Sequence, residues 1–310
     1  MPNLAPIAIF AYKRPEHLRR TLESLRRCAE FAGSKVIVFG DGPKATDDLG
    51  EVDATREIAR VQLGPQAEYH FRDTNAGLAA SIIGGVSEIT RRFGRVIVLE
   101  DDLDLSPNFL SYVNAALDRY EDDSRVYQIS GQLFETPEFI ERKSAVFLPF
   151  TTSWGWGTWR RAWDRFDPSA VGWEKLRADR SLRRRFNLDG SYDFSTMLER
   201  QMAHLGDSWA IRWYWSVFRN DGLVCFPPTS LVQNTGLDGS GTHGRGLLRR
   251  FKNRGGAREI DHIELPAQAI VNEQEFDFVK KAIWKQNGGR VGSAIDIVRR
   301  GLFVLTGKHM

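Results

Sequence analysis

Disulfides are the first thing this sequence has little room for. Cys28 and Cys225 are its only cysteines and stand far apart, which excludes a disulfide framework and suits a reducing compartment. Long apolar runs are missing too: no stretch reaches the roughly 18 residues of a membrane-spanning helix. Met1 to Pro6 carry no basic segment followed by an apolar one, so no signal-peptide pattern is seen and a cytoplasmic address is expected. Neither sign of charge dominates. With 43 Lys and Arg against 40 Asp and Glu, the net charge is +3, too mild for a nucleic-acid-binding surface. No apolar strand candidate leads straight into a G-x-G-x-x-G fingerprint, which argues against a dinucleotide-dependent dehydrogenase. Repeats and low-complexity segments are absent.

What is there reads as strands alternating with helices. Ile7 to Tyr12 is an apolar strand candidate. Lys13-Arg14-Pro15 then opens a helix, with Pro15 in the first turn, where a missing N–H costs nothing. Leu18, Leu22, Leu25 and Ala29 recur at the spacing of one helical face. Val36 to Phe39 is a second strand, closed by the turn cluster Gly40-Asp41-Gly42-Pro43. A weaker helical pattern runs through Val52, Ile58 and Leu63, and Glu68 to Arg72 is a short third strand. After the turn Asn75-Ala76-Gly77, residues Leu78, Ile82, Val86, Ile89 and Phe93 mark a helix face. Val96 to Leu99 is the fourth strand. This alternation predicts a doubly wound, mostly parallel α/β sheet.

Further on, Asp104 to Pro107 is expected to open a helix carrying Phe109, Val113, Leu117 and Tyr120. Val126 to Ser130, Val146 to Phe150 and Leu223 to Phe226 read as strands. Phe194, Met197, Leu198, Met202 and Leu205 form a helical stripe ending at Gly206-Asp207, and Trp209 to Phe218 is an aromatic helix. The glycine-rich stretch 236–246 is a loop. The expected organisation is one large domain with halves at 1–130 and 131–246, followed by a basic amphipathic tail at 247–310. Such a tail either lies on an anionic membrane surface or packs on the domain.

The chain is organised around Arg95 to Asp104, R-V-I-V-L-E-D-D-L-D. The apolar run suits a strand buried on both faces, and it ends in three successive carboxylates. Strand alternation would point Glu100 and Asp102 one way and Asp101 the other. Ligands of open α/β sheets bind at the carboxyl ends of strands. Like charges this close repel unless they are solvated or neutralised by a cation, and a divalent metal carrying phosphate oxygens would do so.

The order of an apolar strand, Phe10-Ala11-Tyr12-Lys13-Arg14-Pro15-Glu16, an amphipathic helix, and then Val98-Leu99-Glu100-Asp101-Asp102 resembles glycosyltransferases of the GT-A fold. It is similar both to bacterial family-2-like enzymes and to the N-acetylglucosaminyltransferase I type, whose metal motif is also E-D-D. The phrases Trp154-Gly155-Trp156-Gly157-Thr158-Trp159 and Asp207-Ser208-Trp209 carry the likeness to about His243. The resemblance implies that Ala11, Tyr12 and Arg14 hold the nucleotide of an activated sugar. It further implies that Asp41 contacts base or ribose, and that Asn75 and Gly77 shape the donor pocket. Glu100 and Asp101 would bond the donor sugar and ribose, and Asp102 would ligate Mn2+ or Mg2+ on the diphosphate. Many relatives read D-x-D, and Asp104 lengthens the acidic run here, so the register of the metal ligand stays open.

Transfer to an acceptor hydroxyl also needs a carboxylate that is not committed to metal. Asp207 is the expected base, with Asp193 and Asp221 as weaker candidates; its other reading is the N-cap of the following helix. His243 is expected as a further metal ligand. Trp154 and Trp156 are expected to wall the acceptor or donor sugar, since flat rings pack on sugar C–H faces, whereas Trp163 reads as core. The implied partners are a nucleotide-sugar donor and a glycan or lipid-linked acceptor. A sugar nucleotidyltransferase would carry a G-x-G-T-x-x-x-P-x-x-K run where A-Y-K-R-P-E-H stands. A non-catalytic nucleotide-sugar-binding module remains the alternative from another class.

Overall fold

The computed structural model describes residues 4–236, 257, 260 and 262–289. The first half alternates as expected: β1 (Ile7–Ala11), α1 (Pro15–Leu25), β2 (Val36–Gly40), α2 (Leu49–Leu63), β3 (Glu68–Phe71), α3 (Leu78–Phe93) and β4 (Arg95–Glu100). Apolar residues without alternation produce strands buried on both faces, and every residue of β1 and β2 is buried,. In α3, Ile82, Val86 and Ile89 are buried, while Leu78 and Phe93 at its ends stay 40% exposed. Gly94, in the left-handed conformation, stops that helix,.

The second half runs β5 (Leu103–Leu105), α4 (Phe109–Arg119), β6 (Val126–Ser130), β7 (Val146–Leu148), β8 (Trp156–Trp159) and α5 (Arg160–Trp163). It continues with α6 (Lys175–Ala178), α7 (Arg180–Phe186), α8 (Phe194–Met202), α9 (Trp209–Arg219), β9 (Leu223–Phe226), β10 (Val232–Asn234) and α10 (Glu273–Gln286). The helix expected from Asp104 begins only at Phe109. Leu103–Leu105 instead pairs antiparallel with β10, Leu103 opposite Asn234, a long-range partner that no local pattern announces.

Eight strands form one sheet in the order β3-β2-β1-β4-β8-β6-β9-β7. β1 to β4 are mutually parallel, β8 runs against both β4 and β6, β9 is parallel to β6, and β7 opposes β9. The sheet is thus mixed and mostly parallel, as the sequence predicts for an α/β fold. The aromatics of the second half fill its core: Trp156 stacks on Trp209 at 5.2 Å between centroids, and Trp163 lies 5.1 Å from Trp213. Such pairs contribute about 0.5–1.5 kcal/mol each beyond the area they bury.

Part of the expected tail is docked on the domain. Ala145 N–H donates to the Glu264 carbonyl (2.9 Å) and the Tyr120 hydroxyl to the Pro266 carbonyl (2.8 Å). α10, capped by the Asn272 side chain, buries Val279 and Ile283 and pairs Lys280 with Asp189 at 2.7 Å. The basic stretch 247–256, His243 and residues 290–310 lie outside the described residues. Among the described residues, no helix is long and apolar enough to cross a membrane.

Candidate active site

The strand order creates the site. From β1 the chain crosses to β2 on one side, whereas β4 lies on the other, so the loops after β1 and β4 part and leave a crevice at their carboxyl ends,. Phe10 is in register with Glu100, which brings the loop after Ala11 against the acidic run. Tyr12 N–H donates to Asp101 Oδ2 (3.1 Å), and Arg14 Nη1 donates to Asp102 Oδ2 (2.7 Å) and lies 3.9 Å from Asp101 Oδ1. Two expectations change here. β4 ends at Glu100 and the next two residues form a turn, so alternation stops and both aspartates, not Asp102 with Glu100, reach Arg14. Asp104, in β5, pairs instead with Arg27 at 2.9 Å and stands apart from the Arg14 contacts.

Side chains that no motif flags brace the turn. Thr21 Oγ1 of α1 donates to the Asp101 carbonyl (2.9 Å) and accepts from Leu103 N–H (3.0 Å). Asn234 Nδ2 donates to Asp102 Oδ1 (3.2 Å), and Thr235 gives both its N–H (2.8 Å) and its hydroxyl (3.0 Å) to the Asp102 carbonyl. A Cβ on Gly236 would stand 2.1 Å from Asp102 Oδ2 and 2.7 Å from Arg14 Nη1, so any larger residue after Thr235 would displace one of these two side chains. Behind Tyr12, its hydroxyl donates to Asp48 Oδ2 (2.6 Å), and Lys13 pairs with the same carboxylate. Lys13 and then Tyr12 hold Asp48 down to about 2.

The corner is short of positive charge. Burial, then the charges of Asp102 and Asp101, raises the pKa of Glu100. Burial and then Asp102 raise that of Asp101, against the pull of Tyr12 N–H and Arg14,. An all-oxygen, carboxylate-rich set in this condition fits a hard divalent cation, which such sites commonly hold through one or two carboxylates. A different group, Glu68, His70 and Glu88, brings its ligand atoms within 4.8 Å of one another. Arg92, 2.6 Å from Glu68 and 2.9 Å from Glu88, already neutralises it.

The donor-side loop is built on Asp41. Its Oδ1 accepts from Gly42 and Ala76 N–H and its Oδ2 from Gly77 N–H, all at 2.9 Å. Asn75 Nδ2 donates to the Gly42 carbonyl at 2.9 Å. Asp41, expected at the base or ribose, therefore clamps the Asn75–Gly77 turn with most of its lone pairs. Gly77, at φ +85°, takes a conformation that favours glycine,. A Cβ placed on it would stand 3.2 Å from Asp207 Oδ2, so Asp207 meets the donor loop although the two are distant in sequence.

The Asp207 side chain is 62% exposed, and its Oδ1 lies 3.6 Å from Nη2 of the largely buried Arg212. The N-cap of α9 is Ser208, which accepts from Ile211 N–H, so the capping reading of Asp207 is replaced. The weaker base candidates are otherwise engaged. Asp193 caps α8 and accepts from Thr196 N–H, and Asp221 is an exposed turn residue paired with Arg185 at 3.6 Å.

The two tryptophans separate. Trp156 is fully buried under Trp209, which corrects its assignment to a sugar wall; a fully covered ring has no face to offer. Trp163 is core, as expected. Trp154 is only partly buried against the core and lies just beyond the last β8–β4 pair, Trp156 with Val98, at the strand end that carries Glu100.

Residues 86–192 match the family model described as the GNT-I family. An alpha-1,3-mannosyl-glycoprotein 2-beta-N-acetylglucosaminyltransferase of Arabidopsis thaliana is 31% identical over 219 residues, covering 60% of this chain and 44% of that protein. The chain thus spans less than half the length of this curated relative. The likeness to the N-acetylglucosaminyltransferase I type read from E-D-D is borne out by both matches, while the bacterial half of that resemblance finds no support in a plant relative. Among solved structures, a mannosyltransferase of Pyrobaculum calidifontis in complex with GDP-Man and Mn2+ is 12% identical with a TM-score of 0.39, over 71% of this chain and 76% of that one. The galactosyltransferase LgtC with donor and acceptor sugar analogs is 10% identical with a TM-score of 0.39, over 71% and 72%.

Proposed function

We propose that the protein is a glycosyltransferase that moves N-acetylglucosamine from its uridine diphosphate ester to a hydroxyl of a glycan acceptor, with inversion at the transferred carbon. The observation that carries this reading is the meeting of Asp207 with Gly77 at the sheet edge that also holds Asp101 and Asp102. A carboxylate that accepts no N–H hydrogen bond and a cation-demanding corner are two things a sugar transfer needs, and Asp207 and the Asp101–Asp102 turn supply them. The match to the N-acetylglucosaminyltransferase I type supports the choice of sugar.

Asp102 would hold Mn2+ or Mg2+, which when bound stabilises the negative charge gathering on the leaving diphosphate. The chain's own groups do the rest. Arg14 presents its guanidinium to the same diphosphate, with the bidentate geometry that suits phosphate oxygens. The clamp of Asp41 on Ala76 and Gly77 fixes the donor loop without intruding on it. Asp207, unencumbered by hydrogen-bonded N–H groups, accepts the proton of the acceptor hydroxyl while Arg212 orients it. Trp154 offers a partly open ring to a sugar face.

A thermal-shift screen of UDP-, GDP- and dTDP-sugars, with and without manganese, followed by a glycan transfer assay, tests this. The expected result is stabilisation by UDP-N-acetylglucosamine that depends on manganese, and UDP release that depends on acceptor. Stabilisation without turnover on any glycan would make the protein a binding module, and preference for a GDP- or dTDP-sugar would overturn the donor.

A further inference from the structure

Both carboxylate oxygens of Asp102 are engaged. Its Oδ1 receives Asn234 Nδ2 at 3.2 Å and its Oδ2 receives Arg14 Nη1 at 2.7 Å. Gly236 is pressed so close that an added Cβ would fall 2.1 Å from Oδ2 and 2.7 Å from Nη1. The pair is largely sheltered, with side-chain exposures of 18% for Arg14 and 12% for Asp102. Oδ2 thus carries a guanidinium and faces the backbone of Gly236.

We propose that Arg14 competes with the divalent cation for Asp102, so that metal and nucleoside diphosphate bind as a coupled pair. This rests on the reading of the corner as the metal–diphosphate site. A guanidinium and a divalent ion on one carboxylate oxygen repel strongly in a sheltered setting. The ion enters only as Arg14 leaves Asp102 Oδ2. Once displaced, Arg14 has lost a largely buried partner, which is unfavourable until another anion takes its place. The diphosphate is that anion. Each ligand therefore favours the other, and reciprocity requires the coupling to be equal in both directions. Metal alone meets a guarded carboxylate, and diphosphate alone meets an arginine already paired.

Isothermal titration of the full chain with Mn2+ alone, with UDP alone, and with each in the presence of the other tests the inference on Arg14→Gln, Arg14→Lys and Arg14→Met. The wild-type protein is expected to bind Mn2+ about tenfold or more tightly in the presence of UDP, within the usual range of coupling. In Arg14→Gln, Mn2+ alone should bind about tenfold tighter than in wild type, UDP should bind more weakly, and the coupling should fall towards one. Arg14→Lys, which keeps the charge, should keep weak Mn2+ binding in the absence of UDP, while Arg14→Met, which removes it, should tighten Mn2+ binding as Arg14→Gln does and carries the test if the Gln variant does not fold; unchanged Mn2+ affinity in Arg14→Met would then overturn the competition. Unchanged or weaker Mn2+ affinity in Arg14→Gln overturns the competition while leaving the functional reading intact. Failure of the wild type to bind Mn2+ even with UDP would instead sink that reading, and this inference with it.

Discussion

Asp207→Asn is expected to bind UDP and manganese as the wild type does and to lose turnover by about 10²–10⁴-fold, the usual contribution of a positioned general base. The amide keeps the size of the side chain and its nearness to Gly77 and Arg212 but cannot take a proton. The side chains of Asp101 and Asp102 are held by Tyr12, Arg14 and Asn234 and not by groups of Asp207, so nucleotide affinity has no reason to change. Steady-state kinetics beside titration calorimetry separates the two quantities. Turnover within a few fold of wild type would remove Asp207 as the base.

The second large effect is on stability. Glu100 and Asp101 have pKa values raised above their ordinary 4.5 and 3.8, first by burial and then by Asp102. Between those ordinary values and the raised ones, the folded protein holds more protons than the unfolded chain. By linkage, stability falls as pH rises through that window, by about 1.4 kcal/mol for each unit of raised pKa. Metal-free protein should therefore melt at a lower temperature at pH 8 than at pH 6. Manganese at a hundred times its pH 8 dissociation constant adds about 2.7 kcal/mol at that pH, roughly 4 °C for a chain of this size, and the same concentration should add far less at pH 5. Asp102→Asn should lose that metal-dependent rise and flatten the pH dependence. Scanning calorimetry at several pH values decides it, and a metal-free protein that grows more stable from pH 6 to pH 8 would contradict the account of the corner.

Much of this was legible before any coordinates. The unbroken apolar runs of β1, β2 and β4 announced buried parallel strands, and a run ending in E-D-D announced where ligands go. Proline at 15 marked a helix start through its own backbone chemistry. What escaped was long-range. β5 and β10 are three residues each, too short for any period to show, and each becomes a strand only because the other lies beside it. Thr21, Asp48 and Asn234 serve the site through contacts of 36 to 132 residues' separation, which local pattern does not encode. Trp156 misled because its cover comes from Trp209 and Trp213 on α9, far along the chain. The turn after Glu100 misled for a simpler reason: strand alternation was carried two residues past the end of the strand.

The most direct measurement is a crystal structure of the protein with UDP and Mn2+, located by the anomalous signal of manganese. The account predicts one manganese bonded to Asp102 and to the diphosphate, with the Arg14 guanidinium moved off Asp102 Oδ2 onto phosphate oxygen. Manganese seated at Glu68, His70 and Glu88 with the acidic corner unchanged, or UDP bound away from the ends of β1 and β4, would contradict it.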